Sequence, residues 1–134
     1  MKKIITLLTI ILVGISAPQL HATTKVTGVL ESVAAAIRTG NSKELAKYFA
    51  STVEITLPEK DGSFSKVQAE MVMKDFFTKN IPSSFSVNQQ GNSTGGSQFM
   101  IGSYKSGSRV FRTYVLFKPV NGQLFIQQIE FETE

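Results

Sequence analysis

The sequence predicts an α+β domain in which three N-terminal helices pack on one face of a curved antiparallel sheet of about four to five strands. Three observations carry this prediction. Apolar residues recur with helical spacing in the first half of the chain, and they alternate with polar residues in the second half. Asn121-Gly122, the strongest short hairpin signal, separates two long strand-like runs. Helices that precede a run of antiparallel strands gather on one face of the sheet.

Residues 1–22 have the composition of a secretory signal peptide. Lys2 and Lys3 precede an apolar run at 4–13, and the segment ends in Leu20-His21-Ala22, a suitable cleavage site. We therefore expect cleavage near Ala22, a single domain of residues 23–134, and export to the periplasm or the extracellular space. Pro18 interrupts the apolar run, so we expect no stable membrane anchor after cleavage. The chain contains no cysteine, which excludes an N-terminal lipid anchor and any disulfide.

Cleavage also removes the only histidine, His21, and lowers the net charge from +4 to +2. Without His or Cys, residues 23–134 cannot form a Ser-His-Asp triad, a Cys-His pair or a zinc site with nitrogen or sulfur ligands. We expect no metal and no cofactor. Lys105, Arg109 and Arg112 are close in sequence but are interpreted as part of a solvated turn, so we expect no nucleic-acid binding.

The first two helices are predicted from residues 25–39 and from the segment that follows Gly40. Residues 25–39 carry an apolar stripe, and Gly40 ends that helix in a left-handed conformation. Asn41 then caps a second helix whose apolar stripe contains Leu45, Tyr48 and Phe49. Residues 53–57 alternate as a strand, and residues 58–62 are expected to form a turn.

The third helix, residues 65–80, has the clearest signature. Its apolar residues fall on one stripe at i, i+3, i+4, i+7 and i+8, and they are Ala69, Val72, Met73, Phe76 and Phe77. Ser65 and Gln68 form a capping box, and the proline that follows Ile81 ends the helix.

The strands after Pro82 end in a hairpin whose register follows from its turn. With Asn121 and Gly122 at the centre, Phe117 lies opposite Ile126, Tyr114 opposite Ile129, and Arg112 opposite Phe131. In this register both faces of the hairpin are apolar. We therefore expect a cavity on the helix side, a homodimer through the C-terminal strands on the outer side, or both. Gly102, within a strand, is interpreted as a bend that curves the sheet.

Residues 37–41, 45–49, 65–70, 74–77, 96–102 and 111–112 carry a resemblance that covers nearly all of residues 23–134. In these segments the chain resembles the nuclear transport factor 2-like superfamily, the cystatin-like cone shared with ketosteroid isomerase. More narrowly, it resembles an uncharacterised secreted Bacteroidetes family of unknown function. The resemblance implies a sheet curled around the first helix and a cone whose open end can hold a small ligand. It implies no particular reaction.

We expect a non-catalytic domain that binds a small apolar or anionic ligand or a protein partner. The expected ligand contacts are Tyr48, Phe49, Met73, Phe76, Phe77, Arg112 and Tyr114. One alternative is an isomerase or lyase of the ketosteroid isomerase type, with Asp75 or Glu54 as base and Tyr114 or Tyr48 as proton donor. The missing histidine disfavours it, and Asp75 also has the spacing of a surface ion pair with Lys79. The other alternative is a structural homodimeric adaptor.

Overall fold

A computed structural model describes residues 28–134, so the predicted signal peptide lies outside the described residues. Three helices and six strands follow one another in an α+β order, as predicted. In chain order they are α1 (Val29–Arg38), α2 (Ser42–Ala46), β1 (Phe49–Thr56), β2 (Asp61–Ser65), α3 (Lys66–Lys79), β3 (Ser84–Asn92), a 3-10 turn (Thr94–Gly96), β4 (Gln98–Ser106), β5 (Arg109–Val120) and β6 (Gln123–Thr133).

Helix α3 begins and ends where the sequence predicts. The Ser65 hydroxyl accepts a hydrogen bond from the Gln68 amide at 3.3 Å, and the Gln68 side chain accepts one from the Ser65 amide at 3.2 Å. This reciprocal pair satisfies two backbone donors at the helix start. Beyond Lys79 the chain leaves the helical region, because Asn80 has φ −131° and ψ 72°.

Helix α2 is shorter than predicted. The Asn41 side chain accepts from the Glu44 amide at 3.1 Å and caps the helix as expected. The helix nevertheless ends at Ala46, and Phe49 begins β1. Placing Tyr48 and Phe49 on a helical stripe was therefore wrong. The Tyr48 carbonyl accepts a hydrogen bond from the Ile126 amide at 2.6 Å, which draws the chain into the sheet at this point.

The sheet has the order β2-β1-β6-β5-β4-β3. It has six strands instead of four to five, and it is mixed, because β1 pairs with β6 in parallel while every other pairing is antiparallel. The additional strand is β2. Asp61 pairs with Thr56, and Gly62 pairs with Ile55, so Asp61 and Gly62 belong to β2 and not to the predicted turn at residues 58–62. The tight turn spans residues 57–60.

A β-bulge in β6 changes the predicted register of the last hairpin. Phe117 lies opposite Ile126 as expected, but Leu116 lies opposite Gln128, so Gln127 is an extra residue. The predicted pairs of Tyr114 with Ile129 and of Arg112 with Phe131 are therefore wrong, and their actual partners are Glu130 and Glu132. Because the side-chain period of a strand is two, the bulge turns both Ile129 and Phe131 toward the helices. Both are fully buried there.

The helices lie on the concave face of the sheet and enclose a single apolar core. A second register irregularity, in β3, lies opposite Gly102, which fits the predicted bend at that glycine. The convex outer face keeps a smaller apolar area than predicted, and its half-buried members are Phe99, Ile101, Val110, Tyr114, Leu116 and Phe125. None of the three helices in residues 28–134 is long and apolar enough to cross a membrane.

Candidate functional site

The middle of the cone is filled by the protein's own aromatic side chains. Five rings pack together with centroid separations from 4.6 to 6.4 Å, and they belong to Phe76, Phe77, Tyr104, Phe111 and Phe131. Each is at most 5% exposed. The space in which a small ligand was expected is thus occupied by the hydrophobic core.

The structure does not bring the seven predicted ligand contacts together. Phe49, Met73, Phe76 and Phe77 belong to the core, with exposures of 5% or less. Tyr48 is half-buried at the edge of this core. The other two, Arg112 and Tyr114, lie on the outer face of the sheet, on the far side of β5 from the core.

Of the four candidates for acid-base chemistry, Asp75 lies on α3, whereas Glu54 and Tyr114 lie on the outer face of the sheet and on strands that are not neighbours. Asp75 is exposed on α3, where its carboxylate lies 3.0 Å from the Lys79 ammonium as the helical spacing predicts. Glu54 is exposed on β1, and it pairs in register with Gln128 of β6. Tyr114 is half-buried on the outer face of β5. No cluster of metal-ligating side chains occurs within residues 28–134.

A cleft of about 260 Å³ opens at the rim of the cone, and we call it the rim cleft. It lies between the β1–β2 turn, the C-terminal half of α3 and the start of β5. Its lining residues are Leu57, Pro58, Glu59, Lys60, Val72, Asp75, Phe76, Lys79, Asn80 and Arg109. The floor is apolar where Leu57, Val72 and Phe76 contribute, and charged groups surround it.

Arg109 is held in place at one end of the rim cleft. Its Nη1 donates a hydrogen bond to Asn80 Oδ1 at 2.7 Å, and its guanidinium lies 5.0 Å from the centroid of the Phe111 ring. Asn80 is itself fixed. Its Nδ2 donates to the Phe76 carbonyl at 3.2 Å, and its own carbonyl accepts from the Tyr104 hydroxyl at 2.6 Å. A planar guanidinium fixed on one side by an amide and a ring keeps its remaining N–H donors for another partner.

The charges around the rim cleft leave an excess of positive charge. Three cations, Lys60, Lys79 and Arg109, face two carboxylates, Glu59 and Asp75. The hydrogen bond from Lys79 to Asp75, and the negative charge of that carboxylate, raise the pKa of Lys79 above its ordinary 10.5, so its charge is opposed by a carboxylate partner. Lys60 and Arg109 form no ion pair within residues 28–134.

The family model for a domain of unknown function, DUF4783, matches residues 30–132. The chain belongs to the DUF4783 family. The predicted resemblance to a Bacteroidetes family of unknown function is confirmed by this match and by the solved structures that follow.

Two solved DUF4783 structures are similar along almost their whole length. One, from Bacteroides uniformis ATCC 8492, is 34% identical with a TM-score of 0.75, and the match covers 80% of this chain and 98% of that one. The other, from Bacteroides fragilis YCH46, is 30% identical with a TM-score of 0.72, covering 77% and 96%. A nuclear transport factor 2-like protein of unknown function from Silicibacter pomeroyi DSS-3 matches at 10% identity with a TM-score of 0.56, covering 78% and 89%, and confirms the fold alone. No curated protein matches the chain significantly.

In this DUF4783 chain, Arg109 is the site residue that sequence reasoning missed. Both Arg109 and Arg112 are interpreted from the sequence as part of a solvated turn, and only Arg112 is also among the expected ligand contacts. The alternation of side chains along a strand could have identified Arg109. Arg109 lies two residues before Phe111, so both side chains point to the helix side of β5. Arg112 follows Phe111 directly and therefore points away from the helices.

Proposed function

We propose that the protein is an exported, non-catalytic binding domain that takes a small anionic ligand in the rim cleft. The observation that carries this proposal is the fixed guanidinium of Arg109, which borders the same cleft as Lys60 and has no carboxylate partner in residues 28–134. A pre-organised guanidinium loses little side-chain entropy when it binds a planar anion such as a carboxylate.

The position of the candidate acids and hydroxyls supports binding over catalysis. A general base must lie within hydrogen-bond reach of the proton it removes, and a donor must face the same reacting atom. Asp75 lines the rim cleft but is paired with Lys79, and the Tyr104 hydroxyl is already committed to the Asn80 carbonyl. Glu54 and Tyr114 are remote from this cleft.

The test is an NMR titration of the purified protein with butanoate, a short carboxylate. Amide shifts are expected to change around Lys60, Asn80 and Arg109. Arg109→Gln should weaken binding about tenfold or more, because it removes a charge-assisted hydrogen bond. Arg112→Gln is the matched control, since it removes the same charge from the outer face and should leave the affinity unchanged. An equal effect of both variants, or no binding at all, would contradict the proposal.

A second candidate function, a homodimer through the outer face of the sheet, is favoured by a different observation. On that face, the half-buried side chain of Leu116 lies between Phe99 of β4 and Gln128 of β6, and Tyr114 lies beside Ile101. Contiguous apolar area on a sheet face commonly marks a protein interface. The two functions use different surfaces and are compatible with each other.

A further inference from the structure

We infer that the anionic ligand is a straight-chain carboxylic acid of medium length, whose carboxylate lies at Arg109 and whose acyl chain runs from the rim cleft along α3. This inference rests on the function proposed above and specifies the ligand of the same site. It follows from a second hollow that adjoins the rim cleft.

The second hollow, of about 230 Å³, is lined by Lys60, Phe64, Gln68, Met71 and Val72. It shares Lys60 and Val72 with the rim cleft, so the two hollows are adjacent. We call them together the helix–hairpin groove, because α3 forms one wall and the β1–β2 hairpin forms the other. Arg109 lies only at the rim-cleft end.

One face of α3 forms the whole helical wall. The helical stripe has residues at i, i+3, i+4, i+7, i+8 and i+11, and they are Gln68, Met71, Val72, Asp75, Phe76 and Lys79. From Met71 to Asn80 the helix rises by about 13 Å, given 1.5 Å per residue. A ligand that contacts both Met71 and Arg109 is therefore an elongated molecule.

The far end of the helix–hairpin groove is apolar and open. Met71 is 67% exposed although it is a large apolar residue, and Phe64 is half-buried beside it. The Lys60 ammonium lies 5.7 Å from the centroid of the Phe64 ring, so its aliphatic stem borders the same hollow. Apolar surface at one end and a fixed cation at the other complement a molecule with an apolar tail and an anionic head.

An acyl chain suits this hollow better than an extended peptide. Peptide amides that leave water must find hydrogen-bond partners, and each unpaired one is costly. The side chains of the lining offer few. The oxygen of Gln68 already accepts from the Ser65 amide, and Phe64, Met71 and Val72 have no donor, so only the Gln68 amide nitrogen and the Lys60 ammonium can donate. An acyl chain needs only apolar contact.

The first experiment is calorimetric titration of the purified protein with butanoate, hexanoate, octanoate and decanoate. The affinity should rise about two- to fourfold for each added methylene, fourfold being the limit for a fully buried one. Octanol, which has the tail without the charge, should bind more weakly than octanoate. An affinity that stays flat from butanoate to decanoate would overturn the inference, as would a peptide with a free C-terminal carboxylate that binds more tightly than decanoate.

A pair of matched variants localises the tail. Met71→Ser should weaken decanoate binding about fivefold and leave butanoate unchanged. Val67→Ser is the control, because Val67 is 69% exposed on the same helix and lines neither hollow. Both side chains are exposed, so both variants are expected to fold, and equal losses of affinity would refute the placement of the tail. If butanoate binds through Arg109 but chain length has no effect, only this inference fails. If neither butanoate nor decanoate binds, the proposed function fails as well.

Discussion

Replacing Tyr104 by Phe removes one hydroxyl group from the centre of the fold and keeps the ring. Tyr104 is fully buried, and its ring packs 5.3 Å from that of Phe131 and 5.7 Å from that of Phe76. Its hydroxyl donates to the Asn80 carbonyl at 2.6 Å, just beyond the last residue of α3. The substitution should therefore leave the aromatic packing in place and leave this carbonyl without a partner.

The expected cost follows from the buried carbonyl. A buried polar group deprived of its hydrogen bond costs about 1–3 kcal/mol, so Tyr104→Phe should lower the free energy of unfolding by about 2 kcal/mol. For a domain of this size, the melting temperature should fall by roughly 10 °C. Urea denaturation measures the loss as a lower midpoint with an unchanged slope.

Tyr114→Phe is the matched control. Tyr114 lies half-buried on the outer face of the sheet, and its hydroxyl has no hydrogen-bond partner within residues 28–134. Its loss should change the free energy of unfolding by less than about 0.5 kcal/mol. If the two variants unfolded at the same urea concentration, the bond from Tyr104 to Asn80 would not stabilise the fold and the reasoning would be refuted.

Three further predictions concern pH, backbone packing and assembly. Burial raises the pKa of the Tyr104 phenol above its ordinary value of 10.0, so this group ionises at a lower pH in the unfolded chain than in the folded one. Its contribution to the free energy of unfolding should therefore be complete below pH 10.0 and decrease above it. Tyr104→Phe should reduce that decrease in urea midpoints measured as a function of pH. A Cβ at Gly102 would lie 2.6 Å from the Ser86 carbonyl oxygen, so Gly102→Ala should lower the free energy of unfolding in urea by about 3 kcal/mol. Gly28→Ala is the control, because a Cβ there meets nothing within 4 Å, and it should lower that free energy by less than about 1 kcal/mol. Light scattering of the wild-type protein should give the mass of a dimer, and Leu116→Asp should reduce it to the mass of a monomer. A monomer mass for the wild-type protein across micromolar concentrations would contradict the proposed dimer.

Local signals predicted the helix ends and the hairpin turn. The capping box at Ser65 and Gln68 is a contact between neighbours in sequence, and the Asn121-Gly122 turn depends on backbone conformations that these two residues adopt, with φ of 52° and 79°. Neither requires knowledge of the tertiary structure. This is why both could be read from the chain alone.

The bulge at Gln127 could not be predicted in the same way. Its trace in residues 123–131 is a change in the parity of the apolar residues, from Leu124 and Ile126 to Ile129 and Phe131, across Gln127-Gln128, with no glycine to mark a bulge. Its effect is nevertheless large, because one extra residue transfers Ile129 and Phe131 from the outer face to the core. The hairpin that was predicted to be apolar on both faces has one buried face that is apolar apart from Thr113, and a smaller apolar patch on the other face. What decides the register is packing against the aromatic rings of α3.

The same aromatic residues explain why the proposed site is at the rim of the cone. Apolar periodicity shows that a side chain faces the interior, but it does not distinguish a residue that lines a cavity from one that fills it. Phe76 and Phe77 on α3 meet Tyr104, Phe111 and Phe131 from the sheet, and five rings close the space that fewer or smaller side chains would leave open. The ligand that we propose would then lie where the aromatic packing ends, at the C-terminal part of α3. At this boundary Asn80 turns the chain out of the helix, and its side chain orients Arg109 toward the rim cleft. The packing that excludes a ligand from the interior therefore also fixes the cation that we propose binds it outside.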